Sequence, residues 1–174
     1  MTKAVVYTSS GGHTAEYAKM FGESTGLPGY SLKEAKRELP EGTLVMYFGW
    51  IMAGRAQGYR RAAKRFRIRG ICAVGLDGSL NQITQVRAVN RLTLSMPLFT
   101  VQGGFERKKL RGFCKLAAAV MSVFFRLDLI QKQNRTPHED DMLDLLRHGG
   151  SRVSFENLGK VLGWYNYMLM NNMA

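Results

Sequence analysis

The sequence predicts an α/β fold: a three-layer sandwich whose five-stranded parallel sheet carries helices on both faces, with extra helices at the C-terminal end. Three observations point there. Short runs rich in β-branched and aromatic residues recur between Ala4 and Val101. Helix-length connections separate them. The longest run, Thr43 to Phe48, is apolar without alternation, as a strand covered on both faces requires.

Ala4 to Thr8 is the first strand, stopped by Ser9-Ser10-Gly11-Gly12. His13 to Phe21 follows as a helix, with Ala15, Ala18 and Phe21 on one face. Gly26-Leu27-Pro28-Gly29 turns the chain, and Tyr30 to Leu32 reads as a short second strand. Thr43 to Phe48 is the third strand, and Gly54 to Arg69 reads as a strongly basic helix. Ile71 to Leu76 is the fourth strand, ending in Asp77-Gly78-Ser79. Asn81 to Leu92 is helix-like, and Pro97 to Val101 is the fifth strand. Beyond Gly103-Gly104 only helical patterns remain. Leu110 to Asp128 is long with a wide apolar face. Thr136-Pro137-His138-Glu139 opens a helix that stops near His148, and Ser154 caps a last one through Leu158, Val161, Leu162 and Tyr165. No repeat, low-complexity tract or linker interrupts this order, so the 174 residues read as one domain.

Twenty-five Lys and Arg against 13 Asp and Glu give a formal charge of +12. Residues 1–54 hold five charges of each sign and residues 116–174 hold six of each. The whole excess lies between Arg55 and Lys115, where fourteen basic residues face Asp77 and Glu106. Such confinement predicts a patch that meets anionic lipid, nucleic acid or an acidic protein. No recognised nucleic-acid motif accompanies the patch, which counts against nucleic acid. Residues 107–126 combine a cationic rim with an apolar face; they fit either a peripheral contact with anionic membrane or packing against the sheet. Cys72 and Cys114 have neither metal nor redox spacing and fit a reducing cytoplasm. The absence of a leader-like or spanning apolar run also predicts a cytoplasmic protein, with peripheral attachment at the inner membrane face as one of the two uses left open for that segment. The acids beside His138 suit a helix N-terminus better than a metal.

Tyr7-Thr8-Ser9-Ser10-Gly11-Gly12-His13-Thr14 is the most informative stretch. It joins the first strand to the first helix, where open α/β sheets bind ligands. Glycines permit close backbone approach, while hydroxyls and helix-start N–H groups donate to an anion. A phosphate monoester is the natural occupant; a plain Ser/Gly turn is the alternative. The Gly-Lys-Ser/Thr of a P-loop and the Gly-x-Gly-x-x-Gly of dinucleotide folds are both missing.

This loop resembles the phosphate-binding loop of flavodoxins, with Ser10, Gly12 and Thr14 in the hydroxyl, glycine and threonine places and Gly11 as an extra glycine. The resemblance continues in order. Gly49-Trp50-Ile51-Met52-Ala53-Gly54 falls at the first flavin-contacting loop, and Gly75-Leu76-Asp77-Gly78 at the second. The basic, apolar C-terminal helices look like those of the flavodoxin-type protoporphyrinogen oxidase branch. The resemblance implies non-covalent FMN, its phosphate surrounded by Ser9, Ser10, Gly11, Gly12, His13 and Thr14. Trp50 or Met52 would lie against one ring face, and Leu76-Asp77-Gly78 would line the other side. It further implies electron transfer or flavin-dependent oxidoreduction, protoporphyrinogen-oxidase-like in its specific form, with a redox partner protein or a small organic substrate and no residue in a catalytic acid–base role. The sequence departs from the pattern at His13, where asparagine is common, and in its basic rather than acidic balance. The rival from another class is a flavin-free module that uses its basic face to bind membrane, nucleic acid or an acidic partner.

Overall fold

A computed structural model describes residues 1–77, 81–106, 123, 127–132 and 134–171. Five parallel strands form the central sheet: β1 (Ala4–Thr8), β2 (Gly29–Ser31), β3 (Leu44–Met52), β5 (Arg67–Gly75) and β6 (Leu98–Gln102). Between the third and fourth of them the chain makes a two-residue antiparallel arm, β4 (Arg55–Ala56), hydrogen-bonded to the end of β3. The order β2-β1-β3-β5-β6 makes this a flavodoxin-like sandwich. The direction of winding reverses between β1 and β3, so the crevice at their carboxyl ends is the topological switch point where such sheets bind ligands.

Helices α2 (Leu32–Glu38), α3 (Tyr59–Ala63) and α4 (Asn81–Asn90) cover one face. Leu32, Ala35, Ala62, Phe66 and Val86 meet Val6, Val45, Tyr47 and Ile71 there. Helices α1 (His13–Thr25) and α6 (Gly159–Met170) cover the other, where Tyr17, Phe21, Val161 and Tyr165 pack on Val5, Met46, Phe48 and Cys72. The Phe21 ring lies 5.4 Å from Phe48 and 5.3 Å from Tyr165, tilted and edge-on, which ties both helices to the same strand. A third, smaller core joins Phe105, Leu129, Leu143, Leu145 and Leu146, the last three on α5 (Pro137–His148).

Several boundaries differ from expectation. The basic run 54–69 is a helix only over α3; its start is the β4 arm and its end, from Arg67, belongs to β5. Gly58 at φ +84° forces the break before α3, and pairing of Arg67 and Ile68 with Leu44 and Val45 wins over their helical charge pattern. Leu32 opens α2, an element the sequence reading lacked, rather than closing β2. The Ser31 side chain accepts from the Glu34 N–H while Glu34 returns to the Ser31 N–H. Gly49 to Met52 extend β3, so only Ala53-Gly54 turns. The chain after Gly103 is not wholly helical: β7 (Gly104–Phe105) pairs antiparallel with β8 (Gly150–Ser151). Ser154 Oγ accepts the Asn157 N–H at 3.3 Å within a 3₁₀ turn, Glu156–Leu158, whose N-cap position is Phe155 and which runs into α6. The expected helix 110–128 and the membrane-facing segment 107–126 lie mostly outside the described residues, of which 127–131 are helical. Among the described residues no helix is long and apolar enough to cross a membrane.

Candidate functional site

The loops that follow β1, β3 and β5 converge on one cleft of about 530 Å³, within the size range of small-molecule and cofactor sites. Of the sequence-predicted residues, Ser10, Gly11, His13, Thr14, Trp50, Ile51, Met52, Ala53, Gly54, Gly75, Leu76 and Asp77 line it. Ser9, Gly12 and Gly49 do not. Ser9 Oγ instead accepts the Gly12 N–H at 3.1 Å and shapes the loop. Gly12, at φ +99°, turns the chain into α1. A Cβ on Gly49 would lie 3.0 Å from both the Gln57 carbonyl and Tyr47, so its glycine serves packing beneath the cleft. Gly78 lies outside the described residues.

One end of the cleft is built for an anion. Gly12 offers no side chain to cap α1, and the helix begins with the Glu16 N–H donating to the Gly12 carbonyl at 3.0 Å. The first-turn N–H groups have no acceptor within the helix, and they open onto a loop carrying the hydroxyls of Ser10 and Thr14. His13 and Thr14 are buried. The His13 Nε2 stands 3.5 Å from Glu106 Oε1, a contact that becomes an ion pair when the ring is protonated.

The rest of the cleft is apolar. Trp50, Ile51 and Met52 on the end of β3 are half-buried, with Val74 and Leu76 across from them in sequence order on β5 and its loop. The wall that Ala53 and Gly54 form is pinned by a buried side chain of α4. Asn90 Nδ2 donates to the Gly54 carbonyl at 2.9 Å and to the Val86 carbonyl at 2.7 Å, and its Oδ1 accepts the Ala56 N–H at 3.3 Å.

Below the cleft the Tyr47 hydroxyl lies 2.6 Å from the Gln57 carbonyl and 2.8 Å from Thr8 Oγ1. Its single proton goes to the carbonyl, which cannot donate, and the threonine hydroxyl donates back. Burial pushes this phenol up to about 12, so it remains a donor across the physiological range. Burial likewise pushes the Cys72 thiol up, leaving an unreactive core residue, while Cys114 lies outside the described residues.

The sequence reading missed Gln82 and Gln85 of α4, Gly104, Phe105 and Glu106, and Met142 and Leu146 of α5, all of which line the cleft. The Gly103-Gly104 pair after the fifth strand was the available signal. A Cβ on Gly104 would sit 2.6 Å from His13 Nε2 and against the Gly150 carbonyl, so only glycine lets these strands close on the first loop. Nothing in the sequence pairs α5 with the cleft; a tertiary network does. Gln102 Nε2 donates to the Leu76 carbonyl at 3.1 Å and to Asp141. Arg152 holds Asp141 at 2.9 Å through Nε and Asp144 at 2.8 Å through Nη2. The acids of α5 are thus engaged by basic side chains, and among the described residues no group of three is placed to hold a metal.

The arrangement can grip an anion at one end and shelter a flat apolar group at the other, with backbone groups and two glutamines beside it. In comparison with known proteins, no protein-family model, no curated protein and no solved structure matches this chain.

Proposed function

We propose that the chain binds FMN without a covalent bond and serves electron transfer or flavin-dependent oxidoreduction. The observation that carries this is the convergence of the loops after β1, β3 and β5 on one cleft at the switch point of the sheet. The residues present fit the group. Ser10, Thr14 and the opening turn of α1 supply donors for a phosphate. Trp50, Met52 and Leu76 supply apolar surface for a ring system. When bound, the flavin supplies the redox chemistry, and the chain positions it, limits water and sets the local electrostatics. Trp50 and Met52 would cover the ring from the β3 side, and Gly75 to Asp77 would approach it with backbone groups. The finer expectation, a protoporphyrinogen-oxidase-like activity, is tested by assaying porphyrinogen oxidation in flavin-loaded protein.

Absorbance of the purified protein and titration of the apo form with FMN test the proposal. Flavin absorbance or saturable uptake is expected. Ser10→Ala with Thr14→Ala removes two donors to the phosphate and weakens uptake by about 100-fold or more, at about 1.5–3 kcal/mol for each hydrogen bond to a charged group. Colourless protein that takes up no FMN at high micromolar concentration sinks the proposal and leaves the flavin-free interaction module.

A further inference from the structure

Among the described residues the basic side chains are unevenly divided between the two faces of the sheet. The layer formed by α2, β4, α3 and α4 with their turns carries ten Lys and Arg against Glu34, Glu38 and Glu41. On the opposite face, α1, the 3₁₀ turn and α6 carry Lys19 and Lys160 against Glu16, Glu23 and Glu156. The cationic layer is continuous. Arg65 of the α3 turn reaches the Lys36 carbonyl of α2 at 3.1 Å, and Arg60 reaches the Val89 carbonyl of α4 at 3.4 Å. Arg55, Arg61 and Lys64 are exposed, and among the described residues no carboxylate lies within ion-pair distance of them. Unneutralised like charges held on one rigid face repel one another, so the face gains free energy by meeting carboxylates or phosphates.

The layer also begins at the cleft. Arg55 follows Gly54, a lining residue, and pairs with Met52, another; Asn90 fixes the arm that carries it. A partner seated on Arg55, Arg61 and Lys64 therefore touches the rim of the site. The aromatic residues of this layer point elsewhere. Phe66 is buried, and Tyr59 packs 6.2 Å from Tyr47, so neither ring is offered to nucleobases. Leu94, in the turn after α4, is a large exposed apolar residue of this layer, and a single such side chain is too little to hold the face in lipid. What remains is a mainly electrostatic surface, the kind that small and short-lived electron-transfer encounters use.

We infer that the α2–α3–α4 face, from Arg55 at the cleft rim across Arg61 and Lys64, is the docking surface for an acidic electron-transfer protein. The inference rests on the flavin proposal for the nature of the exchange, and on the charge distribution for the dock itself. Binding is measured for the apo and FMN-loaded protein with three probes: an acidic plant-type [2Fe–2S] ferredoxin, phosphatidylserine vesicles and a single-stranded oligothymidylate. Saturable ferredoxin binding that weakens with salt is expected, with a Kd raised about tenfold or more in Arg55→Glu/Arg61→Glu/Lys64→Glu. The control Lys19→Glu/Lys160→Glu on the other face changes Kd by less than about twofold. No ferredoxin binding, equal loss in the control, or tighter binding of vesicles or oligothymidylate at the same salt overturns the inference. Ferredoxin binding by a protein that takes up no FMN upholds the dock and refutes the flavin proposal; FMN uptake without ferredoxin binding does the reverse.

Discussion

Tyr47 shows how one hydroxyl can hold a site it does not line. Its oxygen joins the end of β1, through Thr8, to the segment before α3, through Gln57, and Gly58 is glycine because a Cβ there would collide with both hydroxyls. Tyr47→Phe leaves the Gln57 carbonyl and Thr8 Oγ1 without that partner and is expected to cost about 2 kcal/mol in urea unfolding. Because the folded phenol titrates near 12 rather than 10.0, its contribution is complete below pH 10.0 and declines as pH rises toward the folded value. Alkaline unfolding curves of wild type and Tyr47→Phe should therefore converge through that range; parallel curves would refute the assignment. Asn90 acts similarly from the other side. Asn90→Leu removes one donor and one acceptor from the Gly54–Ala56 arm. It is expected to lower stability by about 2–3 kcal/mol and to weaken FMN uptake, read by titration, about tenfold. The residues that look like ligand groups in the sequence were visible because glycine and hydroxyl side chains cluster in loops. Asn90 was not, because a buried asparagine in a helix carries no local pattern; its meaning lies in the arm it faces.

At the scale of elements, strands were easier to read than what joins them. β1, β3 and β5 announce themselves as apolar runs because both their faces are covered, and the cap of α5 spells out its own start in Thr136, Pro137 and Glu139. The segment 54–69 misled, since arginines suit helices and strand edges alike and only pairing with β3 decides between them. α2 was readable in Ser31 and Glu34 but is just seven residues long. The cleft-side placement of α5 was not readable at all, being set by Asp141, Asp144 and Arg152. These contacts have a pH signature. The hydrogen bond from His148, then that from Arg152, holds the Asp144 carboxyl below its ordinary 3.8, and Lys132 chiefly holds Glu139 below its ordinary 4.5. A carboxylate with a depressed folded value stabilises fully above the ordinary one and loses that contribution as pH falls through the folded value. Amide protection across α5, relative to intrinsic exchange at each pH, is therefore expected to fall below about pH 4 before protection in β3 and β5 does. Simultaneous loss in all three would show that α5 is no weaker than the sheet.

For the whole molecule, the fold class was the most accessible property, because five strands alternating with helices leave few ways to close a core. Charge was accessible as a total, while its division between the faces among the described residues needed the layers. A ligand that binds only the folded chain must stabilise it by mass action, about 2.7 kcal/mol at one hundred times its Kd. For a chain of this length that shifts Tm by roughly 5–10 °C, so calorimetry with and without FMN at that excess provides a global check. An unchanged Tm would remove FMN as the ligand. The first and last elements are also tied by contacts very distant along the chain: the Tyr17 hydroxyl of α1 meets the Gln102 carbonyl, and Asn157 reaches that hydroxyl at 2.8 Å across 140 positions. During synthesis, then, the Ser10–Thr14 bend leaves the ribosome early, while Met142 and Leu146, which complete the cleft beside it, arrive only with the last fifth of the polypeptide. Any ligand that needs the complete cleft binds after release, and a nascent chain stalled before α5 would present a half-built crevice to the cell's proteases.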